Sequence, residues 1–313
     1  MIEVNNLTKR YGDHTAVDSL SFSVPEGQVF GFLGPNGAGK STTLNIVTGC
    51  LAATSGEVTI AGYDIFEEEM KAKKLIGYLP EQPPLYMDST PMEYLTFVGM
   101  AKGLSGKELK KSILHAMDVT KITQVSQRLI KNLSKGYRQR VGIAQAILGD
   151  PKVVILDEPS VGLDPLQIVE IRGLIKSLGK SYSVVFSSHI LSEVQSVCDR
   201  ILIINKGKFI ACDTPENLEH QFKGKASVEL LVEASKGDAR QALKTTSAQN
   251  IHITQKKENR CEITLDAPTD DDAVLKELFF AFSRMGKPIL YMNRKQASLE
   301  DVFISLTRES QER

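Results

Sequence analysis

The sequence predicts an α/β chain carrying a smaller α+β domain at its carboxyl end, on three observations. A glycine-rich loop, Gly34-Pro35-Asn36-Gly37-Ala38-Gly39-Lys40-Ser41-Thr42, stands between a strand-like Gln28–Leu33 and a helix-like Ser41–Thr48, the strand-turn-helix setting of a phosphate cradle. The apolar run Val153–Leu156 has strand length and ends in Asp157-Glu158-Pro159; such runs suit strands buried on both faces of a parallel sheet. Beyond Gln221–Lys225 the pattern changes to short alternating strands with helical stretches between them. A chain of 313 residues has room for about two domains and a sizeable core.

From Ile2 to Val24 apolar and polar residues alternate, broken at Gly12-Asp13, the pattern of two antiparallel strands around a turn. Tyr11 beside that turn either packs locally or offers its ring to a base. In the loop that follows, glycines let successive backbone N–H groups turn inward on an anion, and the next helix adds its positive end. Lys40 would reach the β- and γ-phosphates, and the Ser41 hydroxyl would bind Mg²⁺. Gly56–Ala61 then reads as a strand, Phe66–Lys74 as a charged helix and Leu75–Leu79 as a short strand.

Pro80-Glu81-Gln82-Pro83-Pro84 carries too many prolines for a helix or a central strand, so it is a junction. Pro91–Ala101 and Lys107–Met117 are helical, and no strong strand follows as far as Lys131: this is a helical lobe. Leu133-Ser134-Lys135-Gly136-Tyr137-Arg138-Gln139 opens a helix with Tyr137, Val141, Ala144 and Leu148 on one face. Ser134 is its N-cap. A serine and a glycine at a helix start also form an anion site, and these residues alone leave both readings open.

Asp150-Pro151 ends that helix. Asp157, a hard oxygen ligand at the carboxyl end of a parallel strand, suits Mg²⁺, and Glu158 beside it can orient or deprotonate a water. Without the upstream cradle the same pair would serve as a cap or a solvated turn. Asp164 is an N-cap with Pro165 at N1, opening a helix that carries Ile168, Ile171, Ile175 and Leu178 on one face. Ser183–Phe186 is a strand with Ser187-Ser188-His189 at its carboxyl end, which brings His189 to the ligand side, where it is either structural or a contact to phosphate or water. Ile201–Ile204 and Lys208–Cys212 form a hairpin around Asn205-Lys206-Gly207.

The carboxyl-terminal stretch has strands at Ser227–Val232, Asn250–Gln255, Cys261–Leu265 and Pro288–Met292, with helices at Asp238–Lys244 and Asp271–Met285. The order β-α-β-β-α-β suits a ferredoxin-like domain, and Ser298–Phe303 a capped helix. It has no catalytic constellation, which leaves a packing or dimer-stabilising module, or a sensor of some ligand. The domain boundary falls between residues 222 and 223, with the helical lobe over about 83–140.

Charge is balanced, 38 basic against 38 acidic residues, which removes the basic excess expected of a nucleic-acid binder. The cysteines, Cys50, Cys198, Cys212 and Cys261, have no C-x-x-C spacing and suit free thiols in a reducing compartment. Neither an apolar leader nor a membrane-length apolar run occurs. These features fit a cytoplasmic protein.

Taken together, the motifs over Met1–Leu218 resemble the ATP-binding subunit of an ABC transporter. Gly34–Ser41 is similar to its Walker A motif, Gln82 to its Q-loop glutamine and Leu133–Tyr137 to its signature motif. Val153–Asp157 with Glu158 is similar to Walker B and the catalytic glutamate, Ser160–Asp164 to the D-loop, His189 to the switch histidine and Tyr11 to the adenine-stacking aromatic. The resemblance implies a P-loop NTPase (RecA-like) core with an antiparallel β subdomain. It implies ATP held by Tyr11, residues 34–42, Gln82, Ser134, Gly136 and Asp164, Mg²⁺ held by Ser41, Gln82 and Asp157, and catalysis by Glu158, His189 and Lys40. It further implies a homodimer in the ATP-bound state, with each ATP between the cradle of one copy and the signature of the other. The signature departs from Leu-Ser-Gly-Gly-Gln at Lys135 and Tyr137. That variant, Tyr78–Gln82 and the carboxyl-terminal extension resemble the branch pairing with ABC-2 type permeases, among them gliding-motility and multidrug proteins. The implied task is export through a separate permease at the cytoplasmic face of the membrane. An ABC ATPase acting on ribosomes or DNA is the alternative, although such proteins usually carry paired cassettes or a long coiled coil, and neither is present here.

Overall fold

The computed structural model describes residues 1–222, 226–257, 259–267, 272–295 and 303. It divides into two compact units, Met1–Pro215 and Glu216–Arg308. The predicted helix at Ser298–Phe303 lies outside the described residues apart from Phe303.

The larger unit begins with the expected hairpin, β1 (Ile2–Tyr11) against β2 (His14–Val24), followed by β3 (Val29–Leu33), α1 (Lys40–Val47), β4 (Ser55–Ile60) and β5 (Tyr63–Asp64). Next come α2 (Glu69–Lys74), β6 (Ile76–Leu79), α3 (Pro91–Ala101), α4 (Gly106–Val119) and α5 (Lys135–Ile147). The unit continues with β7 (Val153–Leu156), α6 (Pro165–Leu178), β8 (Ser183–Ser188), α7 (Leu191–Val197), β9 (Arg200–Asn205) and β10 (Lys208–Asp213). The short helix α8 (Pro215–Phe222) starts at the last residue of this unit and otherwise belongs to the smaller one.

Two sheets share one core. An antiparallel sheet, β2-β1-β4-β5, faces a six-stranded sheet ordered β10-β9-β3-β8-β7-β6, parallel except for β10. Phe30, Phe32, Leu44 and Ile155 pack with Ile2, Val4, Leu20 and Ile60 in a single buried cluster. Every residue of β3, β7 and β8 is buried, as the apolar runs of β3 and β7 require of central parallel strands; β8 buries Ser183, Ser187 and Ser188 as well. Since β3, β8 and β7 are neighbours in register, their carboxyl ends open at one place.

The two sheets are stitched beside the glycine loop. Gly207 N–H donates to the Ala38 carbonyl (3.0 Å), and Asp18 N–H donates to the Gly207 carbonyl (2.9 Å). A side chain on Gly207, where φ is +75°, would put its first carbon 2.6 Å from the Ala16 carbonyl oxygen. Glycine is required there on both grounds.

Caps fall where the side chains dictate. Thr90 and Glu93 close a capping box on α3 behind Pro91, Ser134 Oγ accepts from Tyr137 N–H, and Asp164 accepts from Gln167 N–H. Two expectations are corrected. Helix α2 starts at Glu69 rather than Phe66, because Asp64 Oδ1 accepts from Phe66 N–H (2.7 Å) and Glu67 N–H (2.9 Å) and holds that stretch as a turn. On α6 the fully buried row is Ile171, Leu174, Ile175 and Leu178, and Ile168 is only half-buried.

The smaller unit runs β11 (Ala226–Val232), α9 (Lys236–Leu243), β12 (Gln249–Lys257), β13 (Arg260–Ala267), α10 (Ala273–Arg284) and β14 (Ile289–Lys295). Its sheet is antiparallel in the order β12-β13-β11-β14. Both helices pack their apolar faces into its core through Leu243, Leu278 and Phe282. Among the described residues no helix is long and apolar enough to cross a membrane.

Candidate active site

The glycine loop leaves β3 at Leu33 and enters α1 through Gly39, whose φ of +96° places it in the left-handed region. A side chain there would meet the Ala16 carbonyl at 2.5 Å. Helix α1 has no side-chain cap and no acid in its first turn, so its leading N–H groups and its dipole are left for an anion. Lys40, 6% exposed, folds back over the loop: its Nζ donates to the Gly34 carbonyl (2.8 Å) and the Pro35 carbonyl (3.3 Å) and lies 3.2 Å from Glu158 Oε1.

The acids arrive from β7. Asp157 and Glu158 are both buried, and Glu158 takes φ of +47°, a costly conformation for a residue with a side chain. Ser187, at the end of neighbouring β8, holds the pair together. Its Oγ accepts from Glu158 N–H (2.8 Å) and donates to Asp157 Oδ1 (2.6 Å). Glu158 Oε2 faces His189 Nδ1 at 2.9 Å, so one carboxylate bridges Lys40 and the histidine. Burial pushes the Asp157 carboxyl above the usual carboxylate range, with hydrogen bonds from Ser187 and Ser41 opposing it.

These groups open into one cleft of about 520 Å³, whose lining includes Tyr11, Asn36, Gly37, Gly39, Lys40, Ser41, Thr42, Glu158 and His189. Its size suits a nucleotide. Gly34, Pro35 and Ala38 form the loop itself, and Tyr11, 50% exposed, lines the cleft with Lys9 Nζ 5.1 Å from its ring centroid. His14 and Glu81 also line this cleft, and neither carries a motif signal that would have marked it.

The remaining expected residues sit elsewhere. Ser134, Gly136 and Asp164 line a second cavity of about 380 Å³, together with Tyr137 and Arg140. Ser134 and Asp164 therefore cap their helices and still face open space. Gln82 is exposed and lines a third cavity with Lys135, Arg138 and Gln139, whereas its neighbour Glu81 occupies the nucleotide-sized cleft.

Among the described residues no group of three or more His, Cys, Asp or Glu is arranged to hold a metal. Ser41 and Asp157, near enough for the serine to lower the carboxyl's pKa, do offer two hard oxygens beside the loop. This fits Mg²⁺, which keeps waters and takes phosphate oxygens alongside one or two protein ligands.

Residues 17–161 match the family model for ABC transporters. The chain is 32% identical over 309 residues to the linearmycin resistance ATP-binding protein LnrL of Bacillus subtilis (strain 168), covering 98% of each chain. It is 38% identical over 317 residues to the ABC transporter ATP-binding protein YhcH of the same organism, covering 100% of this chain and 97% of the relative. Among solved structures, a dimeric post-hydrolysis state of the ATP-binding cassette MJ0796 bound to ADP and Pi superposes with TM-score 0.62 at 27% identity, over 68% of this chain and 98% of that one. A glycine loop, Glu158 and His189 lining one cleft, with relatives similar in sequence over nearly their full length, place this chain among the ATP-binding, ATP-hydrolysing subunits of ABC transporters.

Proposed function

We propose that the chain powers export by pairing with a second copy around ATP. The observation that carries this reading is the separation of the two anion-binding features: the loop cleft and the Ser134–Gly136 cavity are distinct openings of one unit. A head-to-tail pair would bring the Ser134 and Gly136 of one copy over the phosphates in the cleft of the other, making two equivalent sites. In each, Lys40 and the loop N–H groups hold the phosphates, and Tyr11 stacks on the base. Glu158, fixed by Ser187 and His189, orients the water for in-line attack on the γ-phosphorus and takes its proton as the bond to the bridging oxygen breaks. Mg²⁺, when held by Ser41 and Asp157, supplies charge neutralisation on the phosphate oxygens. Gln82, outside the cleft, serves to link nucleotide occupancy to the helical lobe, in keeping with its position at the junction before α3.

The work is done on a separately encoded membrane permease at the cytoplasmic face. The name of the Bacillus relative supports export of a toxic compound as that work, and the family position supports an ABC-2 type partner. The test is mixing. A Ser134→Arg chain and a Lys40→Ala chain are each expected to lack ATPase activity, and their heterodimer is expected to regain one working site. Absence of any recovery in the mixture would show that each chain completes its own site.

A further inference from the structure

Glu193 lies in the first turn of α7, four residues after His189, and is 1% exposed. A carboxylate removed from water this completely needs donors, and it has two. Ser160 Oγ donates to Glu193 Oε2 at 2.6 Å, and Ser188 Oγ donates to the same oxygen at 2.9 Å. Arg172 Nη2 stands 3.7 Å from the other oxygen, which has no hydrogen-bond partner. The hydroxyls, themselves buried, are therefore its main ligands.

The two serines belong to the two segments that carry the chemistry. Ser160 stands two residues after Glu158, at the head of the loop that leads to Asp164, and that loop is turned back on the glutamate by Val161 N–H donating to the Glu158 carbonyl (3.2 Å). Ser188 immediately precedes His189, and its hydroxyl also accepts from Ile190 N–H at 3.0 Å, clamping the backbone on both sides of the histidine. One carboxylate oxygen thus ties the Glu158 segment to the His189 segment through residues that do not line the cleft.

We propose that Glu193 is a positioning residue for ATP hydrolysis: it latches Ser160 to Ser188 and so holds His189 Nδ1 against Glu158 Oε2 at the observed 2.9 Å. This rests on the reading of Glu158 and His189 given above. Glu193 does not line the cleft. Its loss therefore acts on the placement of the water-orienting pair and leaves the loop that binds ATP as it is.

The test uses the full-length chain, with phosphate release for kcat and KM and calorimetry for ATP affinity. Glu193→Ala is expected to lower kcat by ~10–100-fold, the cost of a small misplacement of catalytic groups, with ATP affinity kept. Glu193→Gln still offers an acceptor oxygen to both serines and is expected to recover most of the rate. Because Glu193 acts through His189, adding Glu193→Ala to His189→Ala should cost little more than His189→Ala alone. Independent, multiplicative losses in the double variant, or a wild-type kcat in Glu193→Ala, would overturn the latch. If Glu193→Ala fails to fold, Ser160→Ala and Ser188→Ala remove one hydroxyl each: reduced kcat at unchanged ATP affinity supports the latch, and unchanged kcat in both rejects it. Normal turnover in His189→Ala would instead remove the underlying reading, whereas an impaired His189→Ala beside a normal Glu193→Ala removes the latch alone.

Discussion

The two units of this chain place their polar side chains in opposite ways. Among the described residues, every buried polar or charged side chain lies in Met1–Pro215, with Lys40, Asp157, Glu158, Ser160, Ser187, Ser188 and Glu193 gathered around the ends of β3, β7 and β8. The core of Glu216–Arg308 is made of Val228, Leu230, Ile263, Leu265, Leu278, Phe282 and similar residues. The first unit accepts buried charge and a glutamate in the left-handed region because a reaction is organised there. The second follows packing rules alone, which is why its alternation was easy to read and its task was not.

The comparison breaks most sharply at Glu158. Glu158→Gln keeps the side-chain volume and the hydrogen bond from its N–H to Ser187, but loses the proposed base and the charge facing Lys40. We expect kcat to fall by ~10²–10⁴-fold while ATP is still bound and an ATP-dependent dimer accumulates, measured by phosphate release and size-exclusion chromatography. In the second unit Phe282→Ala empties a fully buried position and should cost about 3–5 kcal/mol. Denaturant unfolding followed by probes in each unit should show that loss in Glu216–Arg308, with ATP hydrolysis unaffected.

Asp157→Asn should reveal the tension within the first unit. Its carboxyl is raised above 3.8 chiefly by burial, so the charged form at neutral pH opposes folding. The amide retains an oxygen for Ser187, and we expect a Tm increase of roughly 2–4 °C per kcal/mol relieved, together with loss of Mg²⁺-dependent turnover. The sign follows from linkage: the penalty is present above the folded pKa and disappears as pH falls through it toward the unfolded value. The Tm gap between variant and parent should therefore close on acidification. The smallest effect is expected at Ala61, which takes φ of +50° ahead of Gly62 in the turn joining β4 to β5. Ala61→Gly should stabilise by about 1 kcal/mol without touching hydrolysis, showing that backbone strain far from the cleft is dispensable. A null result by thermal melting would mean that the turn is not strained.

Local chemistry made much of this legible. The apolar runs of β3 and β7, Pro165 behind Asp164, and the spacing of the glycine loop each specify their structure within a few residues. What escaped depends on distant partners. The Asp64 turn that shortens α2 is local but needs the side chain's rotamer, and nothing in Pro80–Gln82 says that Glu81 rather than Gln82 would line the cleft. The serines at 187 and 188 read as an ordinary polar strand end. Their separate loyalties, one to Asp157 and Glu158 and the other to Glu193, follow from alternation across β8 once its neighbours are known. Helix α7 is only seven residues long, too short for its periodicity to announce that Glu193 points inward.

The hairpin at Lys206–Gly207 bears on how the chain can be engineered. A glycine turn that closes a hairpin at the edge of a sheet is where a tag, an epitope or a permutation point is customarily inserted. Here that turn is bonded to Ala38, within the glycine loop, and pressed on Ala16, which lines the cleft. An insertion scan would therefore find a forbidden site on an apparently ordinary surface bend, and any screen that counts tolerated insertions would map the rim of the nucleotide cleft from the outside.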